Sequence, residues 1–203
     1  MSNLRVDNIL IMAANSFESS YLGTPAWDIG RPQPAIVRLA ETGQITGSVL
    51  DVGCGTGENV LDLAEHGYVA AGVDGAPTAI KKARAKAKRR GLNASFEVGD
   101  ALNLPTPEQQ FDTVIDSGLF HVFSDDERPR FRESLGRVLR LGGTYFLMCF
   151  SDRQPGDWGP RRVTQAEIRA VFSDGWRVNS IEASAFDTNF VEAQAWLATI
   201  SRT

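Results

Sequence analysis

Val49-Leu50-Asp51-Val52-Gly53-Cys54-Gly55-Thr56-Gly57 is the stretch that decides the fold. Its first four residues suit a buried strand, glycines follow at three alternate positions, and helical spacing begins at once in Asn59, Val60, Leu61, Leu63 and Ala64. Glycine has no Cβ, so backbone there can turn sharply and come close to a ligand. A strand, a glycine turn and a helix N-terminus together make a cradle for a nucleotide-like ligand at the carboxyl edge of a sheet. Downstream, Tyr68-Val69-Ala70-Ala71-Gly72-Val73 ends in Asp74, where a second parallel strand delivers a carboxylate to ribose hydroxyls. A third strand, Ala94–Gly99, ends in Asp100-Ala101, beside the place for an adenine ring.

The dinucleotide fingerprint wants its third glycine three residues after the second, and Glu58 stands there. Glu58-Asn59 puts negative charge where a pyrophosphate would sit, which disfavours an NAD site. The pattern Gly-x-Gly-x-Gly resembles the first motif of class I S-adenosylmethionine (SAM) methyltransferases. A second stretch, Trp27-Asp28-Ile29-Gly30-Arg31-Pro32-Gln33-Pro34, looks like the segment before the first helix in one branch of that class. The branch holds thiopurine S-methyltransferases and halide/thiol methyltransferases, and the segment is also similar to mycobacterial heterocyclic-toxin O-methyltransferases.

The resemblance implies an α/β fold: a Rossmann-like, seven-stranded, mostly parallel sheet with a C-terminal antiparallel hairpin and helices on both faces. It implies SAM as cofactor and S-adenosylhomocysteine (SAH) as product. The turn Gly53, Cys54, Gly55 and Gly57 then holds the methionine moiety, and Asp51 orients the turn or approaches the cofactor's amino group. Asp74 and Gly75 fall at the ribose, Asp100 and Ala101 at the adenine, and Asp116 at the same edge. Trp27 and Asp28 contact cofactor or acceptor. No metal site is assigned.

The 203 residues fit one domain, with 1–32 as a lid or cap and 33–203 as the Rossmann-like core. A net charge of −4 gives no sign of a nucleic-acid partner. Two cysteines cannot frame a small disulfide scaffold, and no run approaches a membrane span, so the expected setting is the cytoplasm, as monomer or homodimer.

Val6, Ile9, Leu10, Met12 and Ala13 have approximate helical spacing. Pro34 opens a helix that stops at Gly43. A helix from Pro77 carries seven cations between Lys81 and Arg90 around a stripe of Ile80, Ala83 and Ala87, the pattern of a solvated outer helix. Phe111–Asp116 is a fourth strand, and Ser124 with Glu127 has the form of a capping box for a helix to about Arg140. Leu141-Gly142-Gly143 turns into the buried strand Thr144–Phe150, followed by a polar loop, 151–162, carrying Trp158. Thr164 with Glu167 caps another helix, and Trp176–Phe186 and Phe190–Ile200 form the closing hairpin.

Methyl transfer is an in-line displacement, so the protein must mainly align the nucleophile and exclude water. Of two histidines, His66 ends a helix beside Gly67 and reads as structural. His121 follows strand four at the ligand edge. It is either a base for a hydroxyl acceptor, oriented by Asp28 or Asp116, or a packed structural histidine. The residues after strand four, Asp116-Ser117-Gly118-Leu119, lack the Pro-Pro-aromatic signature of amino-methylating nucleic-acid enzymes. A small-molecule acceptor is therefore expected, and Phe17, Tyr21, Trp27, Phe120, Phe123 and Trp158 could line an aromatic-binding pocket, with some of them simply core. The resemblance implies O-methylation of a hydroxyquinoline- or quinolone-like heterocycle. S-methylation of thiols or thiopurines, halide methylation, or cofactor binding without turnover are the alternatives.

Overall fold

The structure, a computed structural model, describes residues 17–203; the expected helix around Val6–Ala13 lies outside them. Seven strands form one sheet: β1 (Ser48–Val52), β2 (Val69–Asp74), β3 (Ala94–Val98), β4 (Phe111–Ser117), β5 (Leu139–Phe150), β6 (Trp176–Asp187) and β7 (Glu192–Arg202). Their order is β3-β2-β1-β4-β5-β7-β6. The first five are parallel and β7 runs antiparallel to both β5 and β6. Helices complete within the described residues are α1 (Pro34–Glu41), α2 (Glu58–Glu65), α3 (Pro77–Arg90), α4 (Glu127–Val138) and α5 (Gln165–Val171). No described helix is long and apolar enough to cross a membrane.

Side chains alternate across a strand, so each central strand feeds two cores. Val49, Ile115, Phe146 and Met148 pack with α1, α2 and α3 on one face. Leu50, Val114, Tyr145 and Leu147 pack with α4 and α5 on the other. The strand order reverses between β1 and β4, and in such sheets ligands bind at the carboxyl ends beside that point.

Two local expectations are corrected. β5 starts at Leu139, directly after α4, rather than beyond a glycine turn. Leu139 is fully buried opposite Phe111, whereas Thr113 pairs with Thr144, so Arg140–Gly143 form a bulge inside the strand, with Gly142 at φ +73°. The box at Ser124 is half formed: Glu127 accepts from the Ser124 N–H and hydroxyl, but Ser124 Oγ does not accept from the helix. The Thr164–Glu167 box is complete.

The cations of α3 also do more than solvate a surface. Ala79, Ile80, Ala83 and Ala87 are the buried stripe, as the spacing predicts. Lys82, however, donates to the Tyr21 and Gly23 carbonyls, and Arg84 donates twice to Phe96 O. Lys86 and Arg90 both hold Glu58 at the start of α2, at 2.7 and 2.9 Å. Long cationic side chains reach past the helix they stand on.

Candidate functional site

The glycine turn leaves β1 with Gly53, Gly55 and Gly57 all at positive φ, +78°, +55° and +86°. Its N–H groups at Gly53 and Cys54 donate to Val73 O at the end of β2. Asp74 then folds its carboxylate back: Oδ2 accepts the Gly55 N–H and Oδ1 the Ala76 N–H, each at 2.8 Å. An N–H spent on Asp74, and Glu58 ion-paired at the helix start, leave this turn unsuited to a phosphate.

Asp51 is the unusual group here. It is 1% exposed, Oδ2 takes a long hydrogen bond from Asn59 Nδ2 at 3.4 Å, and Oδ1 has no partner among the described residues. Burial, above all, pushes its pKa up to about 8, with Asp116 and Asp74 adding repulsion. A buried oxygen with no donor is costly, and a bound donor relieves it. The Ser117 hydroxyl, at the end of neighbouring β4, is the other buried side-chain oxygen without a partner among the described residues.

The Trp27–Pro34 segment lies against this turn. Asp28 accepts from Thr56 Oγ1 at 2.6 Å, and Lys86 donates to the same hydroxyl at 2.6 Å. The Gln33 N–H donates to Asn59 Oδ1 at 3.0 Å. Trp27 is 40% exposed and its indole N–H donates to the Tyr21 hydroxyl. That hydroxyl sits over Gly55, where an added Cβ would come within 2.8 Å of it.

Farther along the edge, His121 occupies a short 3-10 turn, Phe120–Val122. It is 5% exposed and its Nδ1 accepts the Phe150 N–H at 3.1 Å. The Phe150 and Phe186 rings flank it at 5.3 and 6.2 Å. Burial lowers its pKa to about 3, helped by the Arg128 and Arg162 cations. Trp158 stands edge-on to Phe150 and is 43% exposed. Its loop is held by Arg162, which donates to the carbonyls of Gln154, Gly156, Trp158 and Pro160.

A family model described as a methyltransferase domain matches residues 49–143. The 2-heptyl-1-hydroxyquinolin-4(1H)-one methyltransferase of Mycobacteroides abscessus is 39% identical over 184 residues, 85% of this chain and 81% of that protein. The chain belongs to the methyltransferase family. A probable thiol methyltransferase of Arabidopsis thaliana is 28% identical, over 79% of this chain and 74% of its own. A solved structure described as converting a disulfide bond into a thioacetal group during echinomycin biosynthesis superposes with a TM-score of 0.87 at 38% identity. It covers 94% of this chain and 93% of that one. The methyl donor of this family is SAM.

The methyltransferase fits that donor at Asp51: an ammonium group would supply what the orphaned Oδ1 lacks. The structure brings together Asp51, the glycine turn, Asp74, Trp27 and Asp28. Cys54 is buried in the turn with its thiol pKa raised by burial. Gly75 and Asp100 are exposed at the ends of β2 and β3, and Asp100 accepts the Leu102 N–H to start the 3-10 turn containing Ala101.

Other expectations are corrected. His121 is not placed to act as a base: a backbone N–H occupies the Nδ1 lone pair, the ring proton therefore sits on Nε2, and burial keeps the ring neutral. Neither Asp28 nor Asp116 orients it. Asp28 is bonded to Thr56, and Asp116, fully buried, accepts from the Leu119 and Phe120 N–H groups and the Tyr145 hydroxyl. Phe120 and Phe123 are core, packed on Phe131, not pocket walls. His66 is structural, capping α2 with Nδ1 2.8 Å from Asp62 O.

Sequence reasoning missed Thr56, Asn59 and Gln33 as site residues. Asn59 carried a signal: it falls in the first turn of α2, the turn that faces the end of β1.

Proposed function

We propose that the enzyme transfers a methyl group from SAM to a small aromatic heterocycle, at a ring hydroxyl oxygen that arrives ionised. The observation that carries this is the state of His121: the only histidine at the ligand edge is neutral, buried and hydrogen-bonded through the lone pair a base would need. The 39% identity to a hydroxyquinolinone methyltransferase supports the acceptor class.

In this reading SAM supplies a methyl carbon activated by its sulfonium. Asp51, Asn59 and the glycine turn hold its methionine end, Asp74 and Gly75 its ribose, and Asp100 with Ala101 its adenine. Trp27 and Tyr21 cover the turn and exclude water. Trp158, exposed and set edge-on to buried Phe150, offers the aromatic wall for the acceptor, and the Arg162 charge beside that ring favours its anion. Heteroaryl hydroxyls acidic enough to ionise near neutrality need no base. The sulfur reading is the second one, favoured by the thiol methyltransferase relative and by the disulfide-to-thioacetal structure. Buried, unpaired Cys54 and Cys149 support a cytoplasmic setting.

The test is kcat/KM against pH for a series of hydroxyquinolones of differing acidity. The expected rise follows each acceptor's own pKa, about tenfold per unit below it, and 13C-methyl SAM places the label on oxygen by NMR. One common inflection near pH 6–7 for all acceptors, lost in His121→Gln, would restore a histidine base and sink this reading.

A further inference from the structure

The tip of the β6–β7 hairpin lies far along the chain from the glycine turn, yet it grips the segment that covers that turn. The Asn189 N–H donates to Ala26 O at 2.8 Å, and its side-chain amide donates to the Pro25 and Asp28 carbonyls, each at 3.0 Å. Gln33, 4% exposed, pairs side chain to backbone with Asp187: Oε1 accepts the Asp187 N–H at 3.0 Å, and Nε2 donates to Asp187 O at 2.9 Å. Arg31 and the Asp187 carboxylate meet at 2.7 Å.

The other side of the same segment is fastened to the cofactor turn. Asp28 takes the Thr56 hydroxyl, and the Gln33 N–H holds Asn59, whose amide is the one donor on Asp51 among the described residues. Two short polar relays therefore run from the hairpin tip into the cradle. One passes from Asn189 through the backbone of residues 25–28 to Thr56. The other passes from Asp187 through Gln33 and Asn59 to Asp51.

The tip's own apolar residues take no part in a core. Phe190 is 82% and Val191 50% exposed. The grip is made of hydrogen bonds, which fix direction and distance without the buried area that would make it permanent.

We propose that Asn189 and Gln33 are positioning residues for cofactor binding, through which the hairpin tip keeps the 25–33 segment closed over the glycine turn and Asn59 set against Asp51. The proposal rests on the reading that SAM and SAH occupy that turn. Neither residue touches the reacting atoms. Loosening the tip lets the segment lift, so bound SAH leaves sooner and the chain at Arg31 opens to protease.

The experiment uses the full chain and SAH as probe. Dissociation of SAH is timed by stopped flow, and cleavage of the Arg31–Pro32 bond by clostripain, an arginine-specific protease that tolerates a following proline, is followed with and without SAH, for wild type, Asn189→Ala, Gln33→Ala and the control Phe190→Ala. Asn189→Ala and Gln33→Ala are expected to speed SAH release about five- to twentyfold and to remove its protection of Arg31. They raise the KM for SAM by a similar factor with kcat held within about twofold, while the apo melting temperature stays within a few degrees. Phe190→Ala is expected to match wild type throughout. Unchanged release and protection in both amide variants would overturn the proposal. So would a fall in apo stability with no change in release, since that is a purely structural role. Wild type that fails to bind SAH at all would overturn the cofactor reading beneath it, a result distinguishable from either.

Discussion

Asp51→Asn is expected to make the apo enzyme more stable in mild alkali and nearly unable to hold its cofactor. The wild-type carboxyl is buried, with a pKa of about 8 against an unfolded value near 4. A carboxyl whose folded pKa is raised contributes stability that is fully present below the unfolded pKa and is lost as pH rises through the folded one. The apo wild type therefore weakens between about pH 4 and 8, and asparagine, which cannot ionise, removes Asp51's share of that loss. Asp116, raised to about 7 by the same burial, keeps its own share in both proteins. The melting-temperature gap between variant and wild type should open on going from pH 5 to pH 8.5, to on the order of 5 °C. Binding goes the other way. Taking one partner from a buried charge pair costs about 3–5 kcal/mol, or a loss of SAH affinity on the order of 10²- to several 10³-fold. At pH 7 SAH binding to the wild type should release close to one proton, visible by calorimetry in buffers of different ionisation enthalpy, and the variant should release none. A variant that binds SAH as well as wild type would remove Asp51 from the site.

Gly57→Ala is expected to be the most damaging small substitution in the turn. Gly57 stands at φ +86°, and an added Cβ would lie 2.6 Å from Phe96 Cε1 and 3.0 Å from Ala83 Cβ. The left-handed backbone costs roughly 1–2 kcal/mol, and the overpacking adds about 1–3. For a chain of this size that lowers the melting temperature by on the order of 5–15 °C. Phe96→Leu in the Gly57→Ala background should recover the packing part but not the backbone part, giving a measurable coupling between the two sites. Additive effects would show that the ring and the turn do not meet.

What the sequence revealed follows from range. The glycine turn, the carboxylates ending β2 and β3, and the complete cap at Thr164 are set by residues a few positions apart, so spacing alone exposes them. The β5 bulge was hidden because Gly142-Gly143 after a helix reads as a turn, while only the partner strand shows that Leu139 already pairs. His121 stayed open between base and packed residue for the same reason. Its lone pair is taken by a backbone N–H 29 residues away and its ring is buried, and no local pattern records either. Gln33 and Asp187, 154 residues apart, are more distant still. Arg128 shows the limit from the other side. An arginine early in α4 reads as surface, yet it is 1% exposed, stacked on Phe120 and paired with Glu167, with two nitrogens lacking partners among the described residues.

The most direct measurement is methyl transfer from SAM, compared as kcat/KM across hydroxyquinolones, flavonols, thiopurines, aliphatic thiols and iodide, with products identified by mass spectrometry. The account predicts O-methylated hydroxyquinolone as the preferred product, by at least about tenfold in kcat/KM, with turnover surviving in His121→Gln. Preference for a thiol or iodide, or no methylated heterocycle under conditions where SAH binds tightly, would contradict it.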